Sequence, residues 1–293
     1  MGDLLGIGRL ALFNTQRALD ITGHNVANVN TEGYSRQRVE PGSLPGRYTP
    51  AGYIGQGVRT EAIIRQYDAV LGGQVLAGTS THAHQDMLHQ LTNRLDRALA
   101  ETESTLGPQI EEFFASLNDL ANDPSSLGVR HAVLNRAEAL TEGFQRIDRE
   151  MFAMADEVGQ RIEGSVAEIN RLASRIADLN RRIQAEPGQP WEREEPPNDL
   201  LDKRDQAVKA LSQQIGVSTL TLENGMIMVM VGQGQSLVQG DIANSLQTQA
   251  DDLDPQQLAI EMSQAGGHRV EITQSLQGGE LGGLLNFRDD VLD

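Results

Sequence analysis

The chain opens with an apolar stripe in which Leu5, Leu12, Leu19 and Val26 recur every seven residues, with Leu4, Ala11 and Ala18 beside them on the same side of a helix. The spacing predicts an amphipathic helix from Met1 to about Val29. Thr15 and Thr22 take the alternate seam positions, so the stripe is narrow, and a lone helix of this kind is marginal until its face is covered. It is expected to be loosely held. From Asn28 to Arg59 the periodicity gives way to Gly, Pro and Asn, which reads as an extended linker with short strands such as Tyr34 to Val39.

Helical patterning returns near Glu61 and runs to about Glu101, with Val70, Leu71, Leu88, Leu91, Leu95 and Leu99 on the expected buried side. Gly107-Pro108 is read as an interruption, followed by a shorter helix carrying Ile110, Phe113, Phe114, Leu117 and Leu120. After Asn122-Asp123-Pro124-Ser125 comes the strongest periodic signal in the chain. Ile162, Ile169, Ile176 and Ile183 fall seven apart, Leu172 and Leu179 fill the alternate seam, and the stripe extends back through Val158, Met154, Met151, Ile147 and Phe144. Unbroken from about Ser126 to Gln184, such a helix is on the order of 90 Å long.

Pro187, Pro190, Pro196 and Pro197 bound an acidic loop around Trp191, and Asn198 begins a helix through Leu201, Val208, Leu211 and Ile215 to Gly216. The period then drops to two: Val217 to Leu222 and Met226 to Val231 form a hairpin across Glu223-Asn224-Gly225, with Met226, Met228 and Met230 taken as its core face. Weaker strands follow to Thr273, and Gly278-Gly279 leads into a last helix through Leu281, Leu284, Leu285, Phe287 and Val291. The expected fold is mainly α: an elongated bundle of heptad-patterned helices with a small antiparallel β subdomain and an N-terminal amphipathic helix. Its divisions are 1–33, a linker at 34–60, a long-helix domain at 61–216, a β subdomain at 217–277, and a returning helix at 278–293.

Composition narrows the function classes. Acidic residues outnumber basic ones 41 to 24, a formal charge of -17, which argues against a nucleic-acid partner. There is no cysteine, so no disulfide or thiolate chemistry. No apolar run reaches the length of about 20 residues needed to cross a bilayer, and the N-terminus lacks the pattern of a cleavable signal.

Catalytic templates fail one by one. Gly6-Ile7-Gly8 sits inside the helical stripe with no strand before it, and Gly232-Gln233-Gly234 reads as a turn. His82, His84 and His89 lack a completing carboxylate and are read as surface residues, as are Glu111-Glu112 and Glu194-Glu195. No enzyme activity, cofactor or metal site is expected.

The junction after the first helix runs Gly23-His24-Asn25-Val26-Ala27-Asn28-Val29-Asn30-Thr31-Glu32-Gly33-Tyr34-Ser35-Arg36. Asn28 and Asn30 can end a helix and tolerate left-handed backbone, Gly33 supplies a free dihedral, and Tyr34 can anchor the exit strand. This segment resembles the signature of flagellar axial proteins, the rod, hook and hook-associated subunits, carried here by Asn25, Ala27, Asn28, Asn30, Thr31, Gly33, Tyr34 and Arg36. Three further stretches are similar to the hook-associated protein 1 family of hook–filament junction proteins: 53–58 with 65–68, Asn198 to Gln206, and Gly282 to Asp289. The likeness spans essentially the whole chain.

The resemblance implies a structural subunit in which the N-terminal helix pairs with a C-terminal helix and the helical domain forms an outer layer. It implies export without a cleavable signal to an extracellular flagellum. The implied partners are copies of the same chain, the hook protein, the second junction protein, and an export chaperone acting on a C-terminal region. The sequence stops at Asp293, where family members continue to a closing helix, so the chain is either a fragment or a truncated product. The seam of Leu5, Leu12, Leu19 and Val26 is the expected assembly surface. The alternatives are another axial subunit, hook or distal rod, or a coiled-coil protein-binding module.

Overall fold

A computed structural model describes residues 4–50, 52–185, 197–250, 258–263 and 267–292, leaving aside the side chains of 49 and 101–105. The acidic loop around Trp191, with Glu194-Glu195, lies outside the described residues. The architecture is mainly α with small antiparallel sheets.

Helix α1 (Leu4–Ala27) is followed by β1 (Gln37–Ser43), β2 (Arg47–Thr49), β3 (Gly52–Ile54) and β4 (Val58–Arg65). The stretch from 34 to 60 is therefore not simply extended. β1 and β4 pair antiparallel with Val39 opposite Ile63, and a bulge at Glu40/Pro41 absorbs the proline. Residues 61–65, read from sequence as the start of a helix, form the end of β4. The β-branched pair Ile63-Ile64 favours the ladder that β1 supplies. The helix starts at Ala69, where the Asp68 carboxylate accepts from the Val70 and Leu71 amides at 2.9 and 3.1 Å.

That helix, α2 (Ala69–Asn122), is continuous through Pro108, contrary to the expected break. Leu106 and Gln109 on either side pack against Gly143 of the facing helix, and this contact holds the segment helical across the missing amide. After a short turn, α3 (Leu127–Ala185) returns antiparallel for 59 residues, about 90 Å.

The apolar core lies around the C-terminal half of α3, where α2, α4 (Asn198–Gln214), α5 (Gly279–Phe287) and two sheets converge. One sheet is formed by β5 (Val217–Thr221), β6 (Ile227–Val231), β7 (Gln235–Gln239) and β8 (Ile242–Ala243), and the other by β9 (Ser245–Ala250), β10 (Leu258–Ser263) and β11 (Arg269–Glu271). The core face of β6 is Ile227, Val229 and Val231, while Met228 and Met230 are only half-buried, so the methionine face assigned from sequence is the outer one. Branched aliphatics fill the layer against α3, and Met226 is buried at the turn before the strand.

Among the described residues, the N-terminal half of α3 packs on α2 and lies away from the main apolar core. Phe144, read from sequence as part of the buried stripe, is therefore 52% exposed, and Val70 and Leu71 at the start of α2 are exposed as well.

Candidate assembly interface

Helix α1 lies on the β1–β4 hairpin, and no residue of it is buried. The side it turns to the hairpin carries Ile7, Leu10, Asn14, Ala18, Ile21 and Asn25, all half-buried. Asn14 Oδ1 accepts from the Thr60 hydroxyl at 3.0 Å, and Ile7 lies against Gly57. The heptad stripe faces the other way. Leu5, Leu12, Leu19 and Val26 are 88%, 73%, 66% and 68% exposed, joined by Leu4 and Phe13. The most apolar face of the helix is thus open, and a half-polar face does the docking.

At the end of α1, the Asn25 carboxamide takes both backbone groups of Gln37: its Oδ1 accepts from Gln37 N–H and its Nδ2 donates to Gln37 C=O, each at 2.9 Å. The Tyr34 hydroxyl donates to the same Oδ1 at 2.7 Å, and the Tyr34 ring meets His24 edge-on at 5.5 Å. Burial first, then the Asp202 and Asp199 carboxylates, push the Tyr34 pKa up, so the hydroxyl keeps its proton to donate.

Asn28 closes the helix, donating to His24 C=O at 3.0 Å and accepting from the Thr31 hydroxyl at 3.2 Å. Among the described residues no non-glycine has a positive φ, so neither Asn28 nor Asn30 uses the left-handed backbone it can tolerate; Gly33 does, at +74°. Ala27, Asn30 and Arg36 are exposed, and Arg36 C=O accepts from Gln66 N–H at 2.8 Å.

In α3 the stripe is enclosed. Ile162, Ile169, Leu172, Ile176, Leu179 and Ile183 are all between 0% and 4% exposed. Two asparagines on this helix repeat the device of Asn25. Asn170 takes the N–H and C=O of Leu246, both at 2.8 Å, and Asn180 takes the N–H and C=O of Ile227 at 3.2 and 2.9 Å. Each carboxamide pairs with a strand residue as a neighbouring strand would, which docks strand backbone on a helix without leaving its polar groups bare.

Comparison with known proteins decides the family. Residues 92–293 match the flagellar hook-associated protein FlgK helical domain, and residues 5–34 match the flagella basal body rod protein family. The chain belongs to the flagellar hook-associated protein FlgK family. It is 31% identical over 294 aligned residues to flagellar hook-associated protein 1 of Salmonella typhimurium and 30% identical to that of Escherichia coli, covering 100% of this chain and 53% of each relative. The Bacillus subtilis counterpart is 29% identical over 75% of the chain and 44% of its own length. The chain thus spans about half the length of the curated relatives it matches. The flagellar hook junction protein FlgK of Burkholderia pseudomallei superposes with a TM-score of 0.68 at 29% identity, over 75% of this chain and 40% of that one.

The segments that resemble the FlgK family acquire physical roles here. Gly282 and Gly283 bring α5 against α2. A Cβ on Gly283 would lie 2.8 Å from His84 C=O and 2.9 Å from Met87 Cβ, so only glycine permits the approach. His84 is therefore not a surface residue as read from sequence. It is half-buried under α5, with its Nε2 3.5 Å from Asn286 Nδ2.

In the stretch from Asn198 to Gln206, Asp202 accepts from Ser35 N–H at 3.0 Å and from Arg65 at 2.8 Å, and Asp205 accepts from Arg65 at 2.7 Å. Sequence reasoning missed this cluster because its partners lie more than a hundred residues apart. The Asp-x-x-Asp spacing, one helical face carrying two carboxylates, was the available signal.

Proposed function

We propose that the chain is a structural subunit of the bacterial flagellum that joins hook to filament, and that α1 is its assembly element. The observation that carries this reading is the open stripe of Leu5, Leu12, Leu19 and Val26 on a helix whose opposite face is already docked. A helix partner covering it gains about 1.5–3 kcal/mol for each such side chain fully buried. The asparagine bonds on the other side hold the stripe outward in the meantime. Family membership supports the junction role. The rod-protein match is confined to residues 5–34, the segment that axial proteins share, and so does not favour a rod or hook subunit.

Neighbouring copies meet laterally through the helical domain, and the flanking partners are the hook protein on one side and the second junction protein on the other. Export proceeds without a cleavable signal, with an export chaperone as a further partner, and the assembled subunit is extracellular. The test is complementation of a strain lacking its own hook-associated protein 1, using a full-length version of this protein. Leu12→Asp or Leu19→Asp is expected to abolish incorporation and motility, while the same change in this chain leaves its unfolding midpoint where it was. Normal flagella from either variant would refute the role of the seam.

A further inference from the structure

Among the described residues, α1 packs on β1 and β4, and the β1–β4 hairpin has no extensive backbone packing on α2, α3 or α4. Among the same residues, apart from the covalent passage through Gln66, Tyr67 and Asp68, side chains of one segment of α4 provide hydrogen bonds and an ion pair across the joint. Asn198 Nδ2 donates to Ile63 C=O at 3.0 Å. The Asp202 carboxylate holds both strands at the open end of the hairpin, accepting from Ser35 N–H before β1 and from Arg65 at the end of β4. Asp205 holds the same guanidinium, and Gln206 donates to Glu32 C=O.

The Arg65–Asp202 pair is well shielded, with both side chains about one-tenth exposed. Burial works against the Arg65 charge, yet Asp205 and Asp202 outweigh it and raise its pKa above the ordinary value. On the other side of α4, Arg204 donates to Asn180 Oδ1 at 3.2 Å and to Gly225 C=O at 2.9 Å, which ties the segment into the α3 core. A cleft of about 720 Å³ adjoins Arg65 and Arg204 between α4 and the start of α2, so packing beside the joint is incomplete there.

We infer that Asp202 is a positioning residue that sets the angle between the assembly helix and the helical domain. The path runs from the α1 end through Asn25 to Gln37, along β1 and β4 to Ser35 and Arg65, through Asp202 to α4, and through Arg204 to Asn180 in the core of α3. A buried carboxylate accepting from two strand ends at once fixes direction as well as distance, because the two bonds cannot both persist if the hairpin swings. The consequence for assembly rests on the proposed role of α1. The geometry does not.

The test is a distance measurement on this chain, whose lack of cysteine makes labelling specific. Spin labels at Gln16→Cys on α1 and Arg175→Cys on α3, both exposed positions, report the angle through pulsed electron–electron distances. The parent is expected to give one narrow distribution. Asp202→Ala should at least double its width. Arg65→Ala, which leaves α4 intact, should do the same, and Arg65→Lys, which keeps the charge but not the fork, should fall between them. Asp199→Ala, exposed on the first turn of the same helix, should leave the width unchanged.

Helical content and the unfolding midpoint of the labelled chains separate loss of angle from loss of fold. If Asp202→Ala and Arg65→Ala both retain the parental width, or if Asp199→Ala broadens it equally, the inference is overturned. Normal incorporation of Leu12→Asp would remove the role of α1 while leaving the distance result standing, so the two ideas fail separately.

Discussion

Helices α1 and α3 carry the same two devices and use them differently. Each has an apolar stripe repeating every seven residues, and asparagines that take both backbone groups of a strand residue occur in both, Asn25 in α1 and Asn170 and Asn180 in α3. In α3 the stripe and the asparagines point into one enclosed core. In α1 only the asparagine side is engaged, and the stripe faces solvent. A heptad stripe marks the face that a helix or sheet will cover; whether this chain supplies the cover is a separate matter. The difference makes α3 a source of stability and leaves the α1 stripe open to solvent.

The comparison is broken most directly by trimming one stripe residue in each helix. Ile169→Ala leaves a cavity in an unexposed site and is expected to cost about 2–5 kcal/mol. Leu12→Ala, at 73% exposure, should change the stability of this chain by no more than about 0.5 kcal/mol. Denaturant unfolding of the two variants checks both. A destabilisation by Leu12→Ala approaching that of Ile169→Ala would mean that the α1 stripe is covered in solution.

The asparagines sharpen the same contrast at smaller amplitude. Asn180→Ala strands the Ile227 N–H, two carbonyls and one bond of Arg204 in a fully buried site, and each group left bare costs about 1–3 kcal/mol. Global stability should fall. Asn25→Ala loses three bonds in a half-buried site, and water can replace part of them. The expected result is faster amide exchange across α1 and around Gln37, with exchange in α3 unaltered. Uniform acceleration throughout the chain would show that α1 belongs to the same cooperative unit as the core.

How much of this was legible in the sequence follows from range. The α3 stripe, the Asn198 helix and the β5–β6 hairpin are written in local periodicity and turn residues, and their positions could be read directly. The exposed state of the α1 stripe depends on which face the hairpin takes, and that choice is made by Asn14, Asn25 and Thr60, polar residues that a search for apolar faces passes over. Strand β4 looked helical because a strand depends on a partner twenty residues away, and β1 is that partner. Pro108 looked like a break because its neighbours' contact with Gly143 is invisible along the chain. The family segments were legible as resemblance, but the Asp202 joint was not, since Ser35, Arg65 and Asp202 meet only in three dimensions.

The smallest expected effects compare the two halves of the α2–α3 pair. Among the described residues each half has one cross-helix ion pair: Arg94 with Glu157 beside the core, and Arg136 with Glu112 at 2.6 Å in the outer half. Glu157 is 31% exposed and also accepts from Arg161 at 2.9 Å, whereas Glu112 is 52% exposed with a partner just as open. The hydrogen bond from Arg94, and then the charges of Arg94 and Arg161, hold the Glu157 pKa below its ordinary 4.5 against the opposing effect of burial.

A carboxylate with a lowered folded pKa contributes stability that is present above its unfolded pKa and is lost as pH falls through the folded one. Glu157→Gln should therefore cost about 0.2–1 kcal/mol at neutral pH. The gap from the parent should close as pH falls below about 4.5. Glu112→Gln should lie at the bottom of that range or below it, because open pairs are screened by water and salt. Raising the salt concentration should shrink the Glu112 effect first. If the Glu112 effect proved the larger, the outer half of the pair would be held by charge rather than by its sparse apolar contacts, and the contrast between an enclosed core and an open periphery would need redrawing along α3 itself.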